Sequence, residues 1–293
     1  MINLTSSGSV SGHSNVGGIV GYGWGPNFSQ VSSSATVTAS GDYAGGIAGV
    51  TNYGSIANSS TTGKITASNY AGGLGGSYAG NIYSSAHTGG TVVAYGAYAG
   101  GLAGEYYGYA TDSFATSNVS AGSYAGGIAG RLNGTINNAY ASGDISAGDI
   151  VGGIAGQMNG SSVTHSYFTG SVTGNSNYGG ITGYMSPSAS LVNAYYNIDA
   201  VRINGATGYV SAGGLYARQY GVWQNSSTTV SSRSTGNITD YFDQDGGYYL
   251  ITSATSICAA GAANCAKGDL SSLLGFSQNT NYKFKLANDL DMS

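Results

Sequence analysis

Few side chains in this 293-residue chain are equipped for acid–base or nucleophilic work. Glu105 is the one glutamate, and the three histidines, His13, His87 and His165, lie far apart in sequence. A zinc-protease helix needs His-Glu-x-x-His, which does not occur. No Gly-x-Ser-x-Gly elbow lies between a strand and a helix, so a serine triad has no recognisable setting. Hydrolysis of a glycoside needs two carboxylates facing one bond. The first 197 residues offer Asp42, Glu105, Asp112, Asp144 and Asp149, and only Asp144 and Asp149 lie close together. These residues predict a protein that is not an enzyme.

Three other groups could bind. Asp240, Asp243 and Asp245 precede Gly246 and Gly247, and such a cluster could hold calcium through carboxylate and carbonyl oxygens. Its spacing is not that of an EF-hand, and a solvated turn is the plain alternative. Calcium is thus the one cofactor the sequence suggests. Cys258 and Cys265 could close a short-loop disulfide, which would imply an oxidising compartment; two free thiols are the alternative. Too few further ligands lie nearby for zinc. Tyrosine, with 25 residues, is the richest candidate. Tyr43, Tyr70, Tyr98 and Tyr124 recur at one offset before a Gly-Gly pair, and Phe114, Tyr140, Tyr167 and Tyr195 form another column. Stacked rings could present a face to sugars or simply pack on one another. Threonine is too irregularly placed for the flat rows of an ice-binding surface.

The elements that would position these groups are written as a repeat. A hexapeptide x-Gly-Gly-Ile/Leu-x-Gly occurs seven times, its first glycines being Gly17, Gly45, Gly72, Gly100, Gly126, Gly152 and Gly179. The spacings are 28, 27, 28, 26, 26 and 27 residues. So narrow a spread marks a structural unit. An apolar column keeps the period (Phe28, Ile56, Ile82, Ala110, Ile136, Val163, Leu191), as does a β-branched one (Val37, Ile65, Val93, Val119, Ile145, Val172). A polar column of Asn58, Asp112, Asn138, His165 and Asn193 is expected to hydrogen-bond turn backbone. Around each apolar station residues alternate with period two, as in Ala141–Ala147, which is strand periodicity. Three short strands per repeat, separated by Gly, Ser, Asn and Thr, predict an all-β fold. It is a parallel β-helix, or β-solenoid, of about seven coils with a roughly 27-residue repeat. The crossover rule for parallel strands favours a right-handed coil. Ile19, Ile47, Leu74, Leu102, Ile128, Ile154 and Ile181 should form an internal ladder. The paired glycines should supply positive φ or close backbone approach at a corner.

Composition agrees. Glycine is 52 residues, 41% of residues are hydrophobic and only 7% are charged, against about 25% in an ordinary domain. Apolar residues at fixed spacing argue against disorder. The net charge of −4 and the scatter of eight Lys and Arg argue against nucleic acid. No run of 18 apolar residues predicts membrane insertion.

Regular repetition stops near Asn197. The chain divides into repeats over 1–197, an irregular connecting segment over 198–246 with a short helix around Trp223, and the start of a second β-solenoid section over 247–293. That last section contains a short helix at Asp269–Phe276 with an aspartate N-cap. With no signal peptide, no cap before Val16 and a strand-like close, the chain reads as a piece of a larger polypeptide.

The seven hexapeptides resemble the GLUG repeat, over about residues 1–197. The phrases AYYNIDAVRING, ITDYFDQDGGYYLI and YKFKLANDLDMS resemble segments that accompany such repeats in large bacterial exoproteins similar to filamentous haemagglutinins exported by two-partner secretion. The resemblance implies a right-handed β-helix, an extracellular or cell-surface location, and a structural or adhesive role in adhesion, aggregation or biofilm. Its partners would be host-surface or matrix glycans or proteins. GLUG repeats also decorate some bacterial IgA-cleaving peptidases, outside their catalytic part. The alternatives are a carbohydrate-binding module using the Tyr column and, third, a polysaccharide-degrading β-helix.

Overall fold

A computed structural model describes residues 1–226, 233–254, 266–277 and 281–288. It is a parallel β-solenoid of about seven coils, about 27 residues to the coil. Every strand pair in the coils is parallel, and each residue faces its own equivalent one coil on: Tyr43 opposite Tyr70, Tyr70 opposite Tyr98, Tyr98 opposite Tyr124. At a strand spacing of about 4.8 Å, seven coils make a rod roughly 30 Å long.

The coil has more corners than the three apolar stations suggest. One full coil contains Phe114–Ala115, Asn118–Ala121, Tyr124–Gly126, Ala129–Leu132 and Thr135–Asn137. These five strands belong to four ladders, of nine, eight, seven and twelve strands. The twelve-stranded ladder takes two strands from most coils, fused in the second and third coils as Ala48–Ala57 and Gly75–Tyr83. The extra stations escaped the apolar pattern because their inward residues are small or of mixed type, Ser33, Thr61, His87, Ala115, Ala141, Phe168 and Tyr196 in the nine-stranded ladder and mostly alanine in the seven-stranded one. Small side chains leave no hydrophobic signature, yet they let opposite walls approach.

The Ile/Leu ladder lies in the interior, Ile47 through Ile181 almost wholly buried. Its amides continue the coil-to-coil bonding, as from Leu74 N–H to the Leu102 carbonyl at 2.8 Å. The Phe28-to-Leu191 column pairs in the predicted register throughout. In the β-branched column, Ile65 pairs with Val92, which pairs with Val119, so Val92 takes the place expected for Val93. Between Ala94 and Tyr98 the third coil carries one residue more than Ala67–Tyr70 and Ala121–Tyr124 in the coils on either side, so a count back from its Gly-Gly pair is off by one. A one-residue slip turns a strand inside out. Val92 is accordingly buried and Val93 half-buried.

The polar column is a row of left-handed turns. Asn58, Ser84, Asp112, Asn138, His165 and Asn193 all have φ between 44° and 52°. Asn and Asp tolerate this conformation best among residues with a Cβ. Their side chains also link coils: Asn138 Nδ2 donates to Asp112 Oδ1, and His165 Nδ1 meets Asn137 Oδ1 at 3.1 Å. Four of these six turns are followed by a serine (Ser59, Ser85, Ser113 and Ser166), which relays backbone bonding. The amides of Val31, Ser59 and Ser85 donate to the hydroxyls of Ser59, Ser85 and Ser113 at 3.0–3.1 Å. Each hydroxyl then donates to the carbonyl two residues back.

The Gly-Gly pairs serve close approach; none of their residues has positive φ. A Cβ on Gly72 would stand 2.0 Å from the Gly75 carbonyl and 2.6 Å from Ala103 Cα of the next coil. A Cβ on Gly73 would stand 2.1 Å from the Gly101 carbonyl and 2.3 Å from the His87 ring. The first glycine turns the corner and the second leaves room for the side chain pointing inward from the opposite wall.

Coil register continues beyond Asn197. Arg202–Ile203 joins the eight-stranded ladder and Gly214–Leu215 the nine-stranded one. The helix Ala217–Asn225 follows, with Trp223 fully buried. A small sheet of Gln244–Asp245, Tyr248–Ile251 and Phe284–Leu286 has its own core of Ile238, Tyr241, Phe242, Ile251 and Phe276. It opens on a two-residue antiparallel hairpin at Gly246–Gly247, both at positive φ, and among the described residues it hydrogen-bonds to none of the solenoid ladders. Leu270–Gly275 is a 3₁₀ turn, and the Asp269 side chain accepts the Ser272 amide, as its N-cap position predicts. No helix among the described residues is long and apolar enough to cross a membrane.

Candidate functional site

The predicted tyrosine column exists. Adjacent rings of Tyr43, Tyr70, Tyr98 and Tyr124 are stacked with centroids 4.6, 5.4 and 4.7 Å apart and planes within 24°. Each ring is half-buried, and burial pushes the Tyr43, Tyr70 and Tyr98 phenols above their ordinary pKa. Stacking sets what the column can do. The faces of Tyr70 and Tyr98 lie against neighbouring rings, so only ring edges and hydroxyls meet solvent. A sugar stacks on a ring face, and those faces are taken.

The second column behaves likewise. Phe114, Tyr140 and Tyr167 stack at 4.8 and 5.2 Å on the outer side of the nine-stranded ladder. Trp223 closes it, edge-on to Tyr167 and Tyr195. A third pair, Tyr78 and Tyr106, lies wholly inside the rod. Burial raises both phenols far above their ordinary value, and the Tyr78 hydroxyl has no hydrogen-bond partner among the described residues.

The one glutamate, Glu105, is nearly buried within the twelve-stranded ladder, on the strand Ala103–Tyr106 between Ser77 and Arg131. Its Oε1 accepts from Arg131 at 3.0 Å and from the Tyr107 hydroxyl at 2.7 Å. Burial first, then the hydrogen bond to Glu105, pushes the Tyr107 phenol up to about 12. The Arg131 guanidinium also lies 5.9 Å from the centre of the Tyr98 ring. Other solenoid carboxylates are similarly engaged: Asp42 accepts from Asn69 and Asp144 from Ser171.

His87 is fully buried. Its Nδ1 lies 2.8 Å from Thr61 Oγ1, and burial lowers its pKa to about 4. It therefore stays neutral in the fold while titrating near 6.5 in the unfolded chain. Between those values the unfolded state holds one more proton, so His87's contribution is complete above about pH 6.5 and is lost as pH falls towards 4. The loss is bounded at roughly 3 kcal/mol. Phe168 and Tyr196 fill the same inward column, so His87→Phe should pack. Urea midpoints at pH 7 and 4.5 are expected to differ less in His87→Phe than in the parent; equal differences would show that His87 does not carry the term.

Asp240 ends the 3₁₀ turn Ile238–Asp240, Asp243 follows it, and Asp245 lies in the first strand of the small sheet. Asp243 pairs with Lys267 at 3.5 Å and Asp245 with Lys285 at 2.6 Å, flanking the hairpin. Among the described residues no three His, Cys, Asp or Glu side chains gather as a metal site would require. Cys258 and Cys265 lie outside the described residues.

A feature the sequence reading missed is a cleft of about 620 Å³ on the outer side of the twelve-stranded ladder, lined by Trp24, Tyr53, Tyr107, Asn52 and Asn81 over a glycine floor. Its residues fall where the repeat is least regular. Register shifts between Ala79 and Asn81, and Tyr53 and Gly54 both have positive φ. The available signal was an unmatched tryptophan, Trp24, in a repeat otherwise built on tyrosine.

No protein-family description matches the chain, and no curated protein does. Among solved structures, a Bacteroides ovatus protein described as a candidate immunoglobulin A1 protease is similar over 66% of this chain and 70% of its own, at 22% identity and a TM-score of 0.49. The similarity is too slight to carry an activity across.

Proposed function

We propose that the chain is a non-catalytic repeat scaffold, the GLUG-type segment of an exported bacterial cell-surface adhesin. The observation that supports this most is the continuity of four parallel ladders through seven coils. Such a stack is stabilised between neighbours along its whole length and holds its two ends a fixed distance apart. The polar groups agree: Glu105, Asp42 and Asp144 are engaged in coil-to-coil contacts rather than converging on a cleft. On this reading the Tyr43–Tyr124 column is structural. Tyr98→Ala should lower stability by roughly 1–2 kcal/mol and leave adhesion unchanged.

The test is to display the chain on a non-adherent bacterial strain. Cells are expected to aggregate or to attach to coated surfaces, and displaying cells that stay dispersed would count against an adhesive role. Turnover of protein or polysaccharide substrates by the purified chain would sink the non-catalytic part.

A further inference from the structure

We propose that the cleft bounded by Trp24, Tyr53 and Tyr107 is a binding site for an uncharged oligosaccharide. This deepens the adhesive part of the function proposed above and is tested apart from it.

The cleft is a product of the coil stack. Gly54, Gly80 and Gly108 come from three successive coils and form its floor. A Cβ on Gly80 would stand 2.7 Å from the Gly54 carbonyl, and one on Gly108 only 1.7 Å from the Gly80 carbonyl. Backbones in this row are too close for side chains, so the floor is bare. Beside it, Trp24 faces Asn52, which faces Ala79, in a register that places Tyr107 one coil further on. Trp24 and Tyr107 thus stand three coil steps apart, roughly 14 Å, with small Ala79 between them. That span suits a short sugar chain lying along the rod.

The rings here differ from those of the stacked columns. Trp24 is 71% exposed and Tyr53 63%. Trp24 meets Tyr53 edge-on at 5.2 Å, and Tyr107 contacts no other ring among the described residues. Faces remain available for the C–H surface of a pyranose. Tyr53 is also held at φ 63°, at a position where the preceding coil uses glycine (Gly25, φ 68°), and it is the one Tyr, Phe or Trp among the described residues with positive φ. A bulky side chain resists that conformation. Strain of this kind concentrates where a side chain is presented for use.

Polar groups complete the match. Asn52 Nδ2 donates to the Tyr22 hydroxyl at 3.0 Å, and Asn81 Oδ1 accepts the Tyr109 amide at 3.2 Å. Those bonds orient both amides. Asn52 Oδ1 and Asn81 Nδ2 make no hydrogen bond among the described residues, leaving one acceptor and one donor, which is what hydroxyl groups require. No Lys, Arg, Asp or Glu lines the cleft. The acid that touches a lining residue, Glu105, is neutralised by Arg131 while it anchors Tyr107. An anionic glycan would find no counter-charge. A few oriented polar groups among aromatic walls are the usual make-up of a ligand site.

The experiment is binding of the purified chain to immobilised neutral oligosaccharides, with sulfated and uronic-acid glycans and proline-rich peptides on the same array. Affinities for hits are then measured in solution. Saturable binding of a neutral glycan is expected. Trp24→Ala and Tyr107→Ala should each weaken it about tenfold or more, while Tyr98→Ala leaves it unchanged. Trp24 is exposed, so its removal leaves the fold intact, which circular dichroism checks. In a Trp223→Phe background, Trp24 is the only indole, and its fluorescence should shift on ligand addition. The proposal is overturned if no neutral glycan binds at millimolar concentration, if only anionic glycans or peptides bind, or if binding survives Trp24→Ala. Intact glycan binding by a chain that fails to make cells adhere would leave the cleft standing and sink the adhesin reading.

Discussion

Gly100→Ala is expected to break the rod at its middle coil. The added methyl would stand 2.0 Å from the Ala103 carbonyl and 2.7 Å from both Ala129 Cα and Gly130 N. All three atoms are backbone, two of them in the next coil, so no side chain can swing aside. Relief requires coils to separate, which breaks the hydrogen bonds from Gly101 to Gly126 and from Leu102 to Ile128. Ordinary overpacking costs about 1–3 kcal/mol. A backbone-on-backbone clash in a ladder should cost more, about 3–5 kcal/mol. Because each coil depends on its neighbours, the loss should appear in urea unfolding as a separated transition, with faster amide exchange on both sides of residue 100. Gly221→Ala is the control: it lies within the helix with nothing within 4 Å of the added methyl, and should gain about 0.5–1 kcal/mol. Equal, small effects at both sites would show that the Gly-Gly motif is not there for close approach.

Trp223→Ala should have the second largest effect. Its indole is wholly buried, packed 5.4 Å from Tyr195 and 5.6 Å from Tyr220, and it caps the stack running from Phe114 through Tyr140 to Tyr167. Truncating a buried tryptophan costs about 3–5 kcal/mol. Here the loss should be local, freeing the helix and exposing Tyr195 while the earlier coils stay folded. Amide exchange should therefore quicken at Tyr195–Asn197 and Gly214–Leu215 and stay unchanged near Tyr70. Trp223→Phe, which keeps a ring, should retain much of the stability. A Trp223→Ala chain that unfolds at the parent's denaturant midpoint would show that the helix is not anchored by this residue.

Both predictions rest on features legible to different degrees. The glycine pairs were plain from their period, but the period could not say whether they served positive φ or close approach. Trp223 was placed in a short helix by its surroundings; that the helix covers an aromatic stack thirty to a hundred residues earlier was not readable. The Tyr43–Tyr124 column was readable as a column. Its stacked faces, which argue against sugar binding there, depend on side-chain rotation that no spacing encodes. The aromatic cleft was missed because its parts come from four coils at different offsets.

What the sequence by itself determined is the axial order of this protein. In a parallel solenoid each residue's neighbour along the rod is its own counterpart one repeat away, so a repeated residue type becomes a ladder by period alone. Phe28 to Leu191 could be aligned on paper for that reason, and Val93 failed by one position because an added residue between Ala94 and Tyr98 moved the count. Tertiary structure alone decided the cross-section. How many corners a coil turns, which walls face each other across the interior, and where a gap opens between Trp24 and Tyr107 follow largely from where alanine, glycine and serine let the walls approach and where His87, Phe168 or Tyr196 fills the space instead. The small residues set inter-wall distance without leaving an apolar rhythm, so the lateral geometry, and the site it creates, appears only when the coils are stacked.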